Sequence, residues 1–150
     1  MNRFVETKHL KDDNVTDAKL SATAKKTMCF MYDFSTLGGA VSAITLTDRD
    51  GDAQTIPDNA VITDVSIEAV TDNTSDGSAT IALGYTSNTT AFMTATAFDN
   101  AVWDIDTVTT GPPTAAAGKT DAESSVLATI ATAALTAGKW YVWIAYYEGA

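Results

Sequence analysis

Hydrophobic and polar residues alternate along most of the chain after Thr27, and a period of two is the pattern of β-strands. Turn signals such as Gly38-Gly39 and Pro57-Asp58-Asn59 separate the alternating runs. The predicted strands cover residues 28–34, 40–47, 54–56, 60–71, 79–86, 125–135 and 139–147, with 93–98 and 101–105 as short strands or a connection. In the clearest run, 60–71, one predicted face holds Val61, Thr63, Val65, Ile67 and Ala69.

Short strands at regular spacing, with turns between them and no alternation with helices, are typical of an all-β sandwich or jelly roll. We therefore predict about eight antiparallel strands in a body formed by residues 27–150. Residues 73–78, 87–92 and 111–119 are predicted as turns or loops, and the alanines of 125–135 leave a helix open there. Residues 1–26 are polar and are predicted to form an extended arm that becomes ordered on a partner.

The last predicted strand, 139–147, is apolar on both faces. Alternation places Trp140, Val142, Ile144 and Tyr146 on one side, and Tyr141, Trp143, Ala145 and Tyr147 on the other. A strand that is apolar on both sides has to be covered on both sides, and the domain's own core covers only one of them. The other face is covered by a second sheet, a neighbouring subunit or a larger assembly. Of these we predict a homo-oligomer, with Trp140, Trp143 and Tyr147 in the subunit interface.

Charge divides the chain into two parts. Residues 1–26 hold six basic side chains against four acidic ones, a net charge of +2, whereas 27–150 hold three against fifteen, a net charge of −12. An acidic body repels nucleic acid, so we expect no nucleic-acid partner. The basic side chains predicted to hold the arm on its partner are Arg3, Lys8, Lys11, Lys19, Lys25 and Lys26.

Residue types that mark a cellular compartment or perform catalysis are scarce. The single cysteine, Cys29, excludes an intrachain disulfide and fits folding in a reducing cytosol. The first 26 residues lack the apolar core of a signal peptide, and no run approaches the roughly 18 apolar residues of a membrane span. His9, the only histidine, lies in the arm and Cys29 lies in an apolar strand, so neither has a catalytic partner nearby in the sequence. We predict a non-enzymatic protein that is made in the cytoplasm and has no cofactor and no membrane partner.

Two groups of acidic residues are the remaining candidates for binding. The first group is Asp48, Asp50 and Asp52, and the second is Asp99, Asp104 and Asp106. The first surrounds Gly51 and forms either a calcium site or a hairpin turn. The second surrounds Trp103, which either binds a sugar together with the acids or is a core residue beside solvated loop acids.

The chain resembles small structural proteins of tailed-phage virions, of the capsid-decoration or head-fibre type, in four phrases. These are residues 15–20 (VTDAKL), 56–62 (IPDNAVI), 79–84 (ATIALG) and 135–142 (LTAGKWYV). The resemblance implies a sandwich or jelly-roll body on the outer surface of an icosahedral head, often as a trimer. It also implies an N-terminal arm that grips the major capsid protein, and no catalytic residue.

Three functions are compatible with these observations. The leading one is a capsid decoration or cement protein of a phage head. The second is a phage tail, collar or fibre component that binds host glycans through Trp103 and its acidic neighbours. The third is a secreted or surface module that binds carbohydrate or calcium, which the absence of a signal peptide weighs against.

Overall fold

A computed structural model describes residues 24–111 and 118–149 of the chain. Most of the predicted arm, including Arg3, Lys8, Lys11 and Lys19, lies outside the described residues, as does His9. Within the described ranges the strands are β1 (Lys26–Asp33), β2 (Ala43–Thr45), β3 (Thr55–Ile56), β4 (Ala60–Ser75), β5 (Thr80–Tyr85), β6 (Asn88–Ala97), β7 (Val108–Gly111), β8 (Ser124–Ala131) and β9 (Leu135–Glu148).

The strands form two antiparallel sheets that share one core. The first sheet has the order β1-β9-β4-β7, and the second has the order β2-β8-β5-β6, with β3 also paired to β8. The predicted all-β sandwich is therefore confirmed, with nine strands in the described residues where about eight were predicted. The long strand β9 lies between β1 and β4, so it is hydrogen-bonded on both edges.

Within residues 24–111 and 118–149, helical structure is limited to two short segments between strands. Helix α1 (Phe34–Leu37) follows β1, and Asp33 caps its first turn by accepting a hydrogen bond from the Ser35 N–H at 2.9 Å. One turn of 3₁₀ helix, Ala101–Trp103, precedes β7. No helix in the described part of the chain is long and apolar enough to cross a membrane.

Inward-facing aromatic side chains occupy the centre of the core. Trp140 is fully buried, stacks on Tyr32 with ring centroids 4.8 Å apart, and lies 5.1 Å from the ring of Trp103. The Trp140 indole N–H donates to Asn73 Oδ1 at 3.3 Å, so the polar atom of this buried ring has a partner. Strand β8 completes the core with an alternation of buried and half-buried residues, which is the pattern predicted for a strand and removes the helix alternative.

Several predicted boundaries are wrong in the same region of the chain. Strand β4 continues to Ser75, and β6 begins at Asn88, inside two segments that were predicted as turns or loops. Residues 101–105 form no strand, and the strand that follows them, β7, was not predicted. Residues 112–117 of the predicted loop lie outside the described residues.

Candidate interaction surface

The outer face of the first sheet carries a row of aromatic side chains along β9. We call this surface the aromatic face and define it by four half-buried outward residues of β9 and three of their cross-strand neighbours on β1 and β4. Those residues are Cys29, Ser66, Glu68, Tyr141, Trp143, Ala145 and Tyr147. They face outward because the alternate residues of β9, from Trp140 to Tyr146, point into the core.

A hydrogen bond fixes the orientation of the largest side chain on this face. The indole N–H of Trp143 donates to Oε2 of Glu68 at 2.9 Å, across the β9–β4 pair. A hydrogen bond to a carboxylate is stronger than one between neutral groups, so the ring is held in one position. The ring of Tyr141 lies next to it, with centroids 6.4 Å apart and planes tilted by 55°.

Arg49 lies over both of these rings. Its guanidinium carbon is 5.1 Å from the centroid of Tyr141 and 5.8 Å from that of Trp143, which are distances of cation–π contacts. Arg49 is exposed to solvent, whereas the rings beneath it are half-buried. Arg49, Tyr141 and Trp143 therefore form one ordered cluster on the surface, with Glu68 as its carboxylate.

The loop between β2 and β3 positions Arg49 by pairing with the edge of β1. The Met31 N–H donates to the Thr47 carbonyl at 2.7 Å, and the Thr47 N–H donates back to Met31 at 3.3 Å. The loop then closes as a tight turn, because Asp48 Oδ1 accepts from the N–H groups of Asp50 and Asp52 at 2.9 and 2.8 Å. A loop that belongs to the second sheet is thus attached to the first sheet, and it carries Arg49 onto the aromatic face.

The same turn is the calcium site predicted from Asp48, Asp50 and Asp52. One carboxylate of the three, that of Asp48, is turned inward and binds the turn's own backbone. Among the described residues, no three side chains of aspartate, glutamate, histidine or cysteine lie together in a group that could hold a metal ion. The hairpin-turn alternative describes the geometry of this segment, and calcium binding stays a prediction without support from that geometry.

A shallow depression lies beside Trp143 on the aromatic face. It has a volume of about 360 Å³ and is lined by Lys25, Thr27, Asp64, Ser66, Trp143 and Ala145. The lining combines small side chains with the indole ring and two opposite charges, those of Lys25 and Asp64. The lining therefore offers both apolar and polar contacts.

Cys29 lies opposite Trp143 in the β1–β9 pair, within reach of the charge of Arg49. Burial raises the pKa of the Cys29 thiol to about 11, and the nearby Arg49 guanidinium offsets only part of that rise. The thiolate, which is the reactive form of cysteine, is therefore scarce at neutral pH. Cys29 acts here as a small apolar residue of the face.

The structure separates the three residues predicted for a subunit interface. Trp140 has no exposed surface and lies on the opposite side of β9 from Trp143 and Tyr147. Its inclusion in the interface is wrong, because a side chain that is fully covered by its own core cannot contact a second subunit. Trp143 and Tyr147 lie on the aromatic face, and their role in an interface stays a prediction.

The two described lysines of the predicted arm have different positions. Lys25 is exposed at the edge of the depression. Lys26 is the first residue of β1, is 5% exposed, and its ammonium pairs with Glu148 at 2.5 Å. The assignment of Lys26 to a capsid-binding arm is therefore wrong, because its side chain is buried in the sheet and its charge pairs with the neighbouring end of β9.

The second acidic group is not a sugar-binding site centred on Trp103. Trp103 is 1% exposed and packs in the core, whereas Asp99, Asp104 and Asp106 are exposed in the segment around it. A buried ring offers no face on which a sugar can stack, so the glycan hypothesis that was based on this residue is wrong. The alternative interpretation, a core tryptophan beside solvated acids, is confirmed.

Sequence reasoning did not single out three residues of the cluster around Trp143, namely Arg49, Glu68 and Tyr141. Tyr141 was assigned to the correct side of the last strand but was not chosen for the interface. Glu68 and Arg49 reach the cluster through the β4–β9 pairing and the contact between Thr47 and Met31. Both are contacts between distant parts of the chain, and no local pattern in the sequence signals them.

The fold is similar to that of chains in three solved phage capsids. In the acidic stable capsid structure of Helicobacter pylori bacteriophage KHP30, the similar chain has a TM-score of 0.54 and 15% identity, over 83% of this chain and 88% of that chain. In the cyanophage Pam1 capsid asymmetric unit, the TM-score is 0.55 and the identity 20%, over 88% of this chain and 99% of that chain. In the capsid of Ralstonia phage GP4, the TM-score is 0.55 and the identity 19%, over 91% and 89%.

Sequence comparison adds nothing to this likeness of fold. No model of a known protein family matches the chain, and no curated protein matches it. At identities of 15 to 20%, the similarity to the three capsid chains concerns the fold alone.

Proposed function

We propose that this protein is a structural component of a bacteriophage virion and binds the outer surface of the head as a decoration or cement protein. The observation that carries the proposal is the likeness of fold to chains in three phage capsid structures. The likeness covers 88 to 99% of those chains, so the shared sandwich is nearly the whole of each capsid component that it matches. A fold alone does not fix a function, and the proposal therefore also draws on charge and topology.

The strand order supports the jelly-roll form of the sandwich. A jelly roll has eight strands in two sheets, and eight of the nine strands form the rows β1-β9-β4-β7 and β2-β8-β5-β6. Consecutive strands such as β1 and β2, or β8 and β9, lie in different sheets. The first and last strands pair with each other, which brings the start of β1, where the arm would leave the body, beside the end of β9.

The distribution of charge supports the head surface as the location. The chain carries a net charge of −10, and the acidic excess lies in the body. Like charge on the outer surface of a particle keeps particles apart in solution. The basic bias of residues 1–26 suits an arm that docks on the major capsid protein, with Arg3, Lys8, Lys11, Lys19 and Lys25 as its positive charges.

A position in the tail, collar or fibre is the competing assignment within a virion. In that assignment Trp103 was the residue predicted to bind host glycans. Trp103 is buried, so no described residue now favours a glycan-binding tail or collar component. Copy number separates the two positions, because a head lattice repeats its sites hundreds of times and a tail does not.

The experiment that tests the proposal is quantitative mass spectrometry of purified particles, with the major capsid protein as the internal reference. We expect hundreds of copies of this protein per particle. A handful of copies would move the protein to the tail or collar. Absence from purified particles would overturn the virion assignment itself.

A further inference from the structure

We infer that residues 1–11 of this chain bind an exposed, acid-bordered apolar patch on the body of the same molecule. We call the surface formed by Val70, Ile105 and Val108 the apolar patch. The contact belongs to the free protein, so the inference goes beyond the proposed function and does not depend on it.

The apolar patch gathers most of the exposed large hydrophobic residues on two segments of the chain, 68–72 and 104–108. Three of the four such residues in the described part of the chain lie there. They are Val70, Ile105 and Val108, which are 36%, 52% and 61% exposed. Hydrophobic residues that are exposed singly are ordinary, whereas a group of them marks an interaction surface.

Hydrogen bonds hold the two segments side by side. The Ala69 N–H donates to the Thr107 carbonyl at 3.0 Å, and the Ile105 N–H donates to Asp72 Oδ1 at 2.6 Å. Val108 begins β7, the edge strand of the first sheet, and pairs there with Glu68 of β4. The apolar patch is therefore part of the ordered sheet edge.

The border of the apolar patch is acidic. The segments 68–72 and 104–108 contain no lysine or arginine and four carboxylates, those of Glu68, Asp72, Asp104 and Asp106. The cation nearest in register is Lys139, opposite Thr71, and its ammonium already pairs with Asp33 at 2.9 Å. The surface therefore fits a segment that combines apolar side chains with positive charge.

The first eleven residues of the chain, MNRFVETKHLK, have this composition. They hold three basic side chains against one acidic, a net charge of +2, together with Phe4, Val5 and Leu10. Residues 12–24 hold one basic side chain against three acidic ones, a net charge of −2. An acidic surface attracts the first group and repels the second, so charge selects residues 1–11 as the occupant.

The start of β1 directs the preceding chain toward the face on which Val108 lies. Lys25, directly before β1, lines the depression beside Trp143 on the outer face of the first sheet. Ser66 of β4 lines the same depression and is two residues from Glu68, the partner of Val108. The depression thus lies between the start of β1 and the apolar patch.

The length of chain between the two places is sufficient. The start of β1 is level with Ile62 of β4, because both pair with Tyr146. About eight residues along the strand and three strand spacings then separate it from the apolar patch, a distance of roughly 30 Å. Residues 12–25 can span up to about 46 Å at full extension.

The tether makes a weak contact within one molecule effective. A segment attached to the body by a short linker has an effective concentration on the order of 1 mM, without any second molecule. Exposed ion pairs contribute little to the stability of the fold. The contact is therefore detected by proximity and not by a change in melting temperature.

One consequence rests on the proposed function, unlike the contact itself. If the arm grips the head, the head has to displace residues 1–11 from the apolar patch. The body then holds its own arm until assembly, which disfavours premature contacts of a basic segment with the acidic bodies of other copies.

The test is carbodiimide cross-linking of the purified full chain at low salt, followed by peptide mass spectrometry. This reagent joins a lysine amine to a carboxylate only when the two groups are in contact. We expect links from Lys8 or Lys11 to Asp72, Asp104 or Asp106. An equal mixture of unlabelled and isotope-labelled protein distinguishes links within one molecule from links between two, and we expect the former.

Other acids of the body provide an internal control for mere proximity. Asp58, Asp121 and Glu123 are exposed at the end of the sandwich where the chain enters β1. None of the exposed large hydrophobic residues in the described ranges lies among them. We expect fewer links from Lys8 and Lys11 to these acids than to the border of the apolar patch.

Serine variants test the apolar part of the contact. Ile105→Ser together with Val108→Ser should lower the yield of links to Asp72, Asp104 and Asp106 by about fivefold or more. Val41→Ser is the matched control, because Val41 is 56% exposed but lies between α1 and β2. It should leave the yield unchanged. Near-ultraviolet circular dichroism verifies that each variant retains its core.

Four results would overturn the inference. These are the absence of any link from Lys8 or Lys11 to the border acids, and links to Asp58, Asp121 and Glu123 in equal yield. The third is a yield that the double serine variant does not lower. The fourth is a set of links only between differently labelled molecules, which would assign the contact to a neighbouring copy.

Discussion

Tyr32 connects two parts of the structure through its ring and its hydroxyl. The ring stacks on Trp140 in the core, and the hydroxyl donates to the Gly38 carbonyl at 2.8 Å, which fixes the segment after α1. Burial raises the pKa of this hydroxyl from its ordinary value of 10 to about 12, and the neighbouring charge of Asp33 contributes to the rise. The folded state therefore holds a proton that the unfolded chain releases between pH 10 and pH 12.

We expect Tyr32→Phe to change the pH dependence of stability in that window. The stability that Tyr32 contributes is fully present below pH 10 and is lost as pH rises toward 12, and the phenylalanine variant lacks this loss. At neutral pH the variant should be less stable by about 1 kcal/mol, because the hydrogen bond to Gly38 is missing. Urea unfolding from pH 7 to pH 11.5, about the practical limit, measures both effects.

Cys29→Ala is the matched control for this experiment. The pKa of its thiol is raised from 9.0 to about 11, so its contribution is lost in an earlier window, from about pH 9 to pH 11. The two variants should therefore remove different parts of the loss of stability at alkaline pH. If Tyr32→Phe lost stability with pH in parallel with the wild type, the buried hydroxyl would not be the group that titrates.

Strand β9 was predictable because its pattern is local and complete. Alternation from Trp140 to Tyr147 gave the correct two faces, whereas the assignment of Trp140 to an outside contact failed and the strand begins at Leu135 rather than at residue 139. That failure has a physical reason, since a strand that is apolar on both faces does not reveal which face the second sheet covers. Strand β6 was missed in part because its first residues, Asn88 to Thr90, have the composition of a loop.

A bulge in strand β4 explains why alternation assigned its first residues to the wrong face. Alternation predicted that Val61 and Thr63 face the same way as Val65, but the buried residues are Ala60, Ile62 and Val65. The register of β4 against β9 shifts between Ile62 and Asp64. This one extra residue reverses which side of the sheet the residues of β4 before the shift face. A bulge of this kind depends on the partner strand, and the sequence of β4 alone does not signal it.

The turn from Asp48 to Asp52 provides a test that separates capping from calcium binding. Asp48→Ala removes the acceptor of two backbone hydrogen bonds, and we expect a loss of about 1 kcal/mol of stability, or about 3 °C in melting temperature. Asp48→Asn keeps an oxygen at the same place and should lose less. Calorimetry of the wild type with and without a chelator completes the test. We expect no change on chelation, and a lower melting temperature would establish the calcium site instead.

The molecule has two different outer faces, and this asymmetry suits a component of a layered assembly. One face carries Tyr141 and Trp143 with Arg49 over their rings, whereas the half-buried outward residues of β8 on the other sheet are Ser125, Leu127, Thr129 and Ala131. The acids that are not on the aromatic face lie largely in the turns and loops at the ends of the strands, for example at Asp50, Asp58 and Asp76.

The start of β1 at Lys26 shows where the arm can be removed without disturbing the sheet, which allows a direct test of capsid binding by the arm. Lys26 is the first residue of β1 and its ammonium pairs with Glu148, so a cut after residue 23 leaves the sheet intact and a cut after residue 26 does not. We expect the variant without residues 1–23 to fold with a melting temperature close to that of the full chain. We expect it to lose binding to phage heads from which the protein has been removed, as measured by co-sedimentation.

Two further variants separate loss of the arm from loss of the fold. Deletion of residues 1–26 should lower the melting temperature, because it removes the part-buried ion pair between Lys26 and Glu148 together with the first residue of β1. Replacement of Lys8, Lys11 and Lys19 by glutamate in the full chain should weaken head binding and leave the melting temperature unchanged, if the arm acts through its charge. Full head binding by the variant without residues 1–23 would assign capsid recognition to a face of the body. In that case the aromatic face would be the first surface to examine, with Trp143→Asp as the variant.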